Sequence, residues 1–294
     1  MEHATISERI AAARKPLLSY EFFPPKDDAG MQALDQVIAQ LVPTQPDFVT
    51  VTYGAGGSTQ QRTLDVCDHL QAQGLKPVVH HLTCVGSSRD ELKALLDRIH
   101  GMGIRNIMAL RGDPPQGEAK FRKHPGGLAY AVDLVRFIKK HYPDMCCGVA
   151  GYPETHQEAL SPESDILYLK DKVDAGGAYI TTQLFYDNAV FFRFRDTCRA
   201  WGIRAPIVPG LLPPISLRQL QRMATMCKAS LPPRLVKQLT QAGDDTDAAE
   251  QIGLDWTVQQ IRELLNAGVP GIHLYILNRS KAALAPALKQ CFAR

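Results

Sequence analysis

Residues Ile107–Pro115 read IMALRGDPP, an apolar strand that runs into a loop carrying Arg111 and Asp113. A guanidinium and a carboxylate at the mouth of a buried strand are costly to remove from water, so their position calls for a reason. One interpretation is a structural turn closed by an internal ion pair, which the neighbouring Gly and Pro residues favour. The other is a functional site at the strand end. Seven further stretches end with polar groups in the same way, and this repetition favours the second interpretation.

Strand-like stretches alternate with helical sequence along the whole chain. Eight strands are predicted, at Leu17–Phe23, Phe48–Tyr53, Pro77–Cys84, the stretch from Ile107, Met145–Tyr152, Ala178–Phe185, Pro206–Leu212 and Gly271–Leu277. Helical sequence follows each of them, and residues 1–15 form an additional amphipathic helix. Eight such units predict an α/β protein with a (β/α)₈ barrel, the TIM barrel. Such a barrel takes about 250 residues, so we expect residues 1–294 to form a single domain.

The two faces of the predicted strands differ in a way that favours a barrel over a doubly wound sheet. In the second strand, Thr50 and Thr52 lie on one face and Val49 and Val51 on the other. A doubly wound sheet would be aliphatic on both faces, because helices cover both. In addition, no Gly-x-Gly-x-x-Gly motif follows the first strand, which disfavours a Rossmann nucleotide site.

Composition excludes several classes of protein. A formal charge of +3 is too small to indicate binding to nucleic acid or to an anionic membrane. The seven cysteines are odd in number and lack a Cys-x-x-Cys motif, which is typical of reduced, cytoplasmic protein. No apolar run reaches the roughly 18 residues of a membrane span, and the N-terminus lacks the apolar region of a signal peptide.

Polar residues just past the strand ends are the candidates for chemistry, because barrel enzymes place their sites there. They are Glu21, Thr52, His81, Arg111, Asp113, Tyr152, His156, Gln183 and Arg279. Glu21 and Asp113 are the two carboxylates in this set. If they share a pocket they repel each other, which favours one protonated acid and one anion at neutral pH. For His81 taken alone, a core histidine is the favoured interpretation, and no His-x-His or Glu-x-x-His spacing indicates a metal site. The Gly54–Ser58 loop could bind phosphate, but a plain turn is the favoured interpretation.

Short motifs in a fixed order run through nearly the whole chain. They are Tyr20–Pro25 (YEFFPP), Val51–Ala55 (VTYGA), His81–Cys84 (HLTC), Ala109–Asp113 (ALRGD), Tyr152–His156 (YPETH), Asp165–Lys172 followed by Val173–Gly176, Gln183, and Leu277–Arg279 (LNR). Each motif is short, but the ordered set closely resembles the methylenetetrahydrofolate reductase family of the bacterial type.

The resemblance implies a specific activity. Members of that family are FAD-containing barrels that use NADH or NADPH to reduce 5,10-methylenetetrahydrofolate to 5-methyltetrahydrofolate for methionine synthesis. It implies a ping-pong scheme, in which the nucleotide reduces the flavin and leaves before folate takes the hydride. It also implies a homo-oligomer whose partners are small molecules, the reduced folate and the nicotinamide nucleotide.

The resemblance also assigns roles to residues. Glu21 would be the general acid that protonates the folate amine, and Asp113 would stabilise the resulting cation and favour hydride release. The positions that match FAD contacts are Thr52, Tyr53, Ala55, His81, Arg111, Gly112, Asp113, Ala131, Tyr152, His156, Ala159, Asp165 and Lys172. Arg111 and Lys172 suit a pyrophosphate. Gln183, Gln219 and Arg279 match folate-binding positions, and Gln183 would also contact nicotinamide.

Some residues depart from the family pattern, and other functions stay open. Met223 stands where some members have an aromatic residue, and Tyr168 and Asp171 also differ. Because the chain ends at Arg294, a regulatory domain that responds to S-adenosylmethionine is not expected. The rival functions are a flavin-free aldolase- or isomerase-like barrel that uses Glu21 and Asp113 as acid and base, and a non-catalytic folate carrier. The residues do not choose between NADH and NADPH.

Overall fold

The strands of the protein form one parallel sheet. A computed structural model describes residues 4–53, 60–113 and 121–293. Across these ranges there are nine strands: β1 (Leu17–Phe22), β2 (Phe48–Val51), β3 (Val78–Thr83), β4 (Asn106–Leu110), β5 (Cys146–Gly151), β6 (Gly177–Thr182), β7 (Ile207–Val208), β8 (Gly210–Leu211) and β9 (Gly271–Tyr275). Their order in the sheet is β7-β6-β5-β4-β3-β2-β1-β9-β8.

Helices alternate with these strands. They are α1 (Ile6–Ala12), α2 (Asp28–Leu41), α3 (Gln60–Ala72), α4 (Arg89–Gly101), α5 (Ala131–His141), α6 (Pro162–Asp174), α7 (Asn188–Ala200), α8 (Leu217–Cys227), α9 (Pro233–Ala242), α10 (Thr246–Asn266), α11 (Lys281–Leu284) and α12 (Pro286–Cys291), with a 3₁₀ turn at Val42–Thr44. Within the described ranges, none of these helices combines the length and the apolar character needed to cross a bilayer.

The seventh barrel strand is bent rather than continuous. β7 pairs with β6, β8 pairs with β9, and Pro209 lies between the two short segments. Proline has no N–H to donate, so it interrupts a hydrogen-bonded ladder. Its carbonyl still accepts from the backbone N–H of His273 at 2.9 Å. The nine strands therefore form eight β/α units around a closed ring, which confirms the predicted (β/α)₈ fold and corrects the prediction of one unbroken strand at Pro206–Leu212.

Helix boundaries follow local sequence signals. Ser88 and Glu91 form a capping box at the start of α4, and Ser161 caps α6 with Pro162 in its first turn. The last helix is a correction to the sequence prediction, which expected one helix over Ser280–Phe292. It is divided into α11 and α12, because Ala285 is extended (ψ 131°) and the residue before a proline is disfavoured in helical geometry.

The faces of the strands alternate as predicted. Val49 and Val51 belong to the apolar layer between the strands and the surrounding helices, whereas Thr50 lies close to Glu21 inside the ring. His81 also faces the interior, while His80 lies 6.0 Å from the ring of Tyr53, centroid to centroid. The alternation thus gives the barrel an aliphatic outside and a partly polar inside.

The N-terminal end of the barrel interior is closed by α1. Ile6 is fully buried there, and its backbone N–H donates to Asn106 Oδ1 at 2.9 Å. The side chains packed around it are apolar and come from six strands: Leu17, Phe48, Val79, Met108, Cys146 and Tyr179. Among the described residues, α1 and this cluster therefore fill the N-terminal end of the barrel interior.

Candidate active site

Glu21 lies inside the barrel near the C-terminal end of β1. Its side chain is only 8% exposed, and its Oε2 lies 3.5 Å from each of three polar atoms, Thr50 Oγ1, His81 Nε2 and His273 Nε2. Below it, Ser19 Oγ lies 2.8 Å from His273 Nδ1. Among the described residues neither Lys nor Arg lies within 4 Å of this carboxyl group. Glu21 is therefore a buried carboxyl group surrounded by hydroxyl and imidazole groups.

Two groups near Glu21, His81 and Tyr275, have pKa values far from their ordinary ranges. Burial lowers the pKa of His81 to about 4, which outweighs the opposite effect of the Glu21 charge. His81 is therefore a neutral imidazole at neutral pH. Burial and then the nearby Glu21 charge raise the pKa of Tyr275 well above its ordinary value, so its hydroxyl stays protonated. That hydroxyl donates to the carbonyl of Thr182 at 2.6 Å.

Arg111 follows β4 and is held by a carboxylate that the sequence did not indicate. Its guanidinium makes a two-pronged ion pair with Glu158, with Nη2 at 2.8 Å from Oε1, and it lies 5.0 Å from the centre of the Phe121 ring. Within the described residues, the ion pair of Arg111 is therefore with Glu158 and not with Asp113. The hydrogen bond to Glu158 raises the pKa of Arg111, so the guanidinium is a permanent cation.

Gly112 makes the sharp turn between Arg111 and Asp113. Its φ is +90°, which L side chains rarely adopt. A Cβ atom there would also lie 2.8 Å from Val85 Cγ1 and 2.9 Å from Thr83 Cβ. Only glycine fits, and the turn leaves Asp113 exposed at the rim.

A second cluster of predicted residues surrounds the loop after β5. Lys172 Nζ donates to the carbonyl of Ala150 at 2.6 Å and lies 5.9 Å from the centre of the Tyr152 ring. Burial lowers the pKa of Lys172 to about 8, although Asp165 opposes this. Asp165 Oδ2 accepts from the backbone N–H of His156 at 2.9 Å, and burial raises its pKa.

Electrostatic coupling joins this cluster to the β4 loop and to Glu21. Burial raises the pKa of Tyr152, and the charges of Asp165 and Asp113 add to that effect. The pKa of Tyr275 responds to both Glu21 and Tyr152. The predicted residues of β1, β4 and β5 therefore lie at one end of the barrel, within electrostatic reach of a shared space.

A cavity of about 200 Å³ opens beside this rim, between the ends of β8 and β9 and the helices α10 and α11. Gln219, Tyr275 and Arg279 line it, which brings together two of the predicted folate-binding residues. Arg279 Nη2 donates to Glu250 Oε1 at 3.0 Å, and Lys281 pairs with the other oxygen of the same carboxylate. The cavity thus has apolar walls and one cluster of charges.

The other predicted residues lie at the ends of their elements. Gln183 directly follows β6, and its backbone N–H donates to the carbonyl of Gly151 at 2.8 Å. Thr52 follows β2 and accepts through its carbonyl from Thr63 Oγ1 at 3.2 Å. Ala131 is the first residue of α5, and the backbone N–H of Ala159 donates to His156 at 3.0 Å. Two predictions, the FAD contact of Ala55 and the turn at Gly54–Ser58, lie wholly outside the described residues.

Sequence reasoning missed the acidic partners of the two arginines and the full surroundings of Glu21. Glu158 lies 47 residues from Arg111, and Glu250 lies 29 residues from Arg279. Neither spacing is a recognisable motif, because both pairs form only when the barrel closes. The period-two alternation did place Thr50 on the polar face of its strand, and this was the available signal for its contact with Glu21.

Comparisons with known proteins agree with this architecture. A solved structure described as an uncharacterized protein from Clostridium thermocellum that binds two copies of 5-methyl-5,6,7,8-tetrahydrofolic acid superimposes with a TM-score of 0.67 at 17% identity. The match covers 98% of this chain and 99% of the other. At this identity the likeness establishes the fold.

Sequence comparison identifies the family. The chain is 40% identical over 276 residues to methylenetetrahydrofolate reductase (NADH) 1 of Arabidopsis thaliana, covering 90% of this chain and 47% of the plant protein. It is 36% identical over 268 residues to 5,10-methylenetetrahydrofolate reductase of Escherichia coli, covering 91% of this chain and 88% of that one. The chain thus spans about half the length of its plant relatives. The sequence profile of the methylenetetrahydrofolate reductase family matches residues 6–289, and the chain belongs to this family.

Proposed function

We propose that the protein reduces 5,10-methylenetetrahydrofolate to 5-methyltetrahydrofolate in a ping-pong reaction, with FAD as cofactor and NADH or NADPH as electron donor. One observation carries the proposal: Glu21 is buried at the open end of the barrel, within 3.5 Å of Thr50, His81 and His273. The names of the relatives support the same activity, and the bacterial ones match over 88% of their length.

The residues at the rim fit FAD. Arg111 and Lys172 are cations beside the β4 and β5 loops, and cations suit a pyrophosphate. In the described part of the chain, Thr83 Oγ1 and His81 Nε2 are buried without a hydrogen-bond partner. Buried polar atoms normally have partners, so these two indicate a polar ligand at the end of β3. FAD, when bound, supplies a ring that accepts a hydride from the nucleotide and passes it to folate.

Glu21 is proposed as the general acid. It would donate its proton to the amine nitrogen of the folate ring system, which opens the five-membered ring and prepares it for the hydride. Thr50 Oγ1 donates to the carboxyl group at 3.5 Å, and the neutral His81 lies beside it at 3.5 Å without adding a positive charge. The proposed acid role requires that this carboxyl group carries a proton when the substrate is bound.

Asp113 and the cavity residues are proposed to bind and stabilise the folate. Asp113, on the exposed turn after β4, would place a negative charge near the cationic form of the substrate. Gln183 would contact folate and nicotinamide in turn from the end of β6. Gln219 and Arg279 line the cavity, where a guanidinium can pair with a carboxylate of the substrate.

The electron donor and the assembly are proposed on the family alone. The plant relatives are named as NADH enzymes, so NADH is the donor that we expect to be preferred. Steady-state rates measured with NADH and NADPH decide this point. We also propose a cytoplasmic homo-oligomer, and light scattering of the purified protein tests its assembly.

The direct test uses the purified full chain in anaerobic buffer. We expect yellow protein whose flavin absorbance is bleached by NADH and restored by 5,10-methylenetetrahydrofolate, with 5-methyltetrahydrofolate as product. Protein that is colourless and cannot be reconstituted with FAD would instead support the flavin-free aldolase- or isomerase-like barrel. Protein that binds folate without turnover would support a carrier.

A further inference from the structure

The end of β1 is held by a side chain from the opposite end of the sequence. Asn278 Oδ1 accepts from the backbone N–H of Phe23 at 2.9 Å, and Asn278 Nδ2 donates to the carbonyl of Phe23 at 2.9 Å. One amide side chain thus satisfies both backbone groups of a residue 255 positions away. Phe23 lies two residues after Glu21.

This contact begins where the backbone ladder ends. β1 and β9 pair in parallel up to Glu21 and Tyr275. Beyond that point, Leu277 and Asn278 adopt left-handed conformations, with φ of 49° and 54°, so their backbone turns away from β1. Asparagine tolerates this conformation better than most residues, whereas leucine is rarely found in it. The Asn278 amide replaces the hydrogen bonds that a continued strand would make.

The other edge of β1 is already fixed by backbone contacts. The ladder to β2 includes Phe22, whose carbonyl also accepts from the N–H of Thr52 at 2.9 Å. On the β9 side, Asn278 is the group that holds the chain just after Glu21. The next residue, Arg279, lines the cavity. A single turn therefore links the strand of the carboxyl group to a wall of the cavity.

We propose that Asn278 is a positioning residue for Glu21. Its amide fixes the end of β1, so that the Glu21 carboxyl group is held in register with a substrate bound against β9 and Arg279. This inference rests on the proposed function, because the step that it predicts to depend on Asn278 is proton donation to folate. Misplacement of a reacting group by about 1 Å can cost a factor of about 10² in rate.

Three variants of the full chain test the proposal. Asn278→Gly keeps the left-handed backbone available and removes both hydrogen bonds to Phe23. Asn278→Asp keeps an acceptor for the Phe23 N–H but loses the donor to its carbonyl. Asn188→Ala is the matched control, because it removes a buried amide that bonds to the carbonyl of Gln260 at 3.1 Å, at the contact of α7 with α10.

The two half-reactions are measured separately at a temperature where all variants are folded. In Asn278→Gly we expect the reoxidation step at saturating 5,10-methylenetetrahydrofolate to slow by about 10- to 100-fold, while bleaching by NADH changes by less than about twofold. Asn278→Asp should fall between wild type and Asn278→Gly. Asn188→Ala should lower stability and leave both half-reactions unchanged. An equal loss in both half-reactions, or none in either, would overturn the positioning role.

Amide hydrogen exchange gives a readout that does not depend on activity. The Phe23 N–H should exchange at least about tenfold faster in Asn278→Gly than in wild type, with no such change in Asn188→Ala. Unchanged exchange at Phe23 would refute the contact itself. Failure of the proposed function is a separate result, since it appears as wild-type protein that NADH does not bleach or that 5,10-methylenetetrahydrofolate does not reoxidise.

Discussion

The two ends of the barrel interior are built by the same strands and have opposite character. At the N-terminal end, Leu17 of β1 and Tyr179 of β6 pack with Ile6 in an apolar cluster that α1 closes. At the C-terminal end, four residues further along β1, Glu21 is buried among imidazole and hydroxyl groups. Both ends are buried, but only the lower one follows the usual preference for apolar residues in a core.

The two ends of the barrel interior therefore have different roles, since one stabilises the fold and the other is suited to a reaction. Apolar burial at the lower end stabilises the fold, while a buried carboxyl group and unpartnered polar atoms at the upper end cost stability unless a ligand contacts them. Barrel proteins commonly divide their interior in this way. Substitutions at the upper end should therefore change reaction rates, and those at the lower end should change the free energy of unfolding.

The largest expected effect is that of Glu21→Gln on the upper end. We expect folate reduction to fall by about 10²- to 10⁴-fold, because the amide has the shape of the carboxyl group but no acidic proton to transfer. Bleaching of the flavin by NADH should persist. Single-turnover kinetics of each half-reaction measure both effects.

Leu17→Ala, on the same face of the same strand, is the control for Glu21→Gln. It should destabilise the protein and leave both half-reactions intact in the folded fraction. Folate reduction at the wild-type rate in Glu21→Gln would rule out the acid role.

The second largest effect is the loss of stability expected from Ile6→Ala at the N-terminal end of the barrel interior. Removing a fully buried isoleucine side chain costs about 2–5 kcal/mol in the free energy of unfolding. Urea denaturation followed by circular dichroism measures the change. Ile10→Ala, a half-buried position on α1, should cost less. Loss of the folate step in folded Ile6→Ala protein would contradict the separation of the two ends.

The fold was predictable from sequence because its signals are local. Alternation of apolar and polar residues gave the two faces of β2, and the alternation of strand-like with helical stretches gave the eight β/α units. The two errors both lie at prolines. Pro209 bends the seventh strand, and Pro286 divides the last helix. Each proline is visible in the sequence, but whether the chain continues past it depends on the neighbouring elements.

The sequence predicted which residues belong to the site, but it did not predict which residues they contact. Glu21, Arg111 and Arg279 were identified at strand ends, and the resemblance to a known family added the rest. The contacts that hold the site join distant segments of the chain. Glu158 pairs with Arg111, and Asn278 bonds to the backbone of Phe23, two residues after Glu21. Such contacts depend on the closed ring, and no local pattern encodes them.

The third effect is a pH dependence of FAD binding at Lys172. Burial lowers the pKa of this amine to about 8, so it is protonated below that pH and increasingly neutral above it. An anionic ligand favours the protonated form, so binding above pH 8 must take up a proton. FAD affinity should therefore be constant below about pH 8 and fall by up to about tenfold per pH unit above it.

Lys172→Arg separates this effect from the titration of FAD itself. A guanidinium stays protonated throughout the range, so the fall above pH 8 should be absent in this variant. Fluorescence titration with FAD at several pH values measures both proteins. The same fall in Lys172→Arg would show that Lys172 does not carry the pH dependence.

The smallest effect should come from Glu158, which holds the guanidinium of Arg111 at the rim. If Arg111 binds the pyrophosphate, the Glu158 carboxylate competes with it, and Glu158→Gln should tighten FAD binding. The pair is partly exposed, with Glu158 at 52%, and such pairs contribute about 0–1 kcal/mol, so we expect a gain of no more than about fivefold.

Glu154→Gln is the matched control, because Glu154 lies in the same loop and its carboxylate accepts from the N–H of Ser230 at 2.9 Å instead of contacting Arg111. It should leave FAD affinity within about twofold, since it removes the same charge without freeing a guanidinium. Weaker FAD binding in Glu158→Gln than in Glu154→Gln would mean that Glu158 orients Arg111 for the cofactor. The Glu158 carboxylate would then be part of the FAD-binding site, because it would fix the position of the Arg111 guanidinium before the cofactor binds.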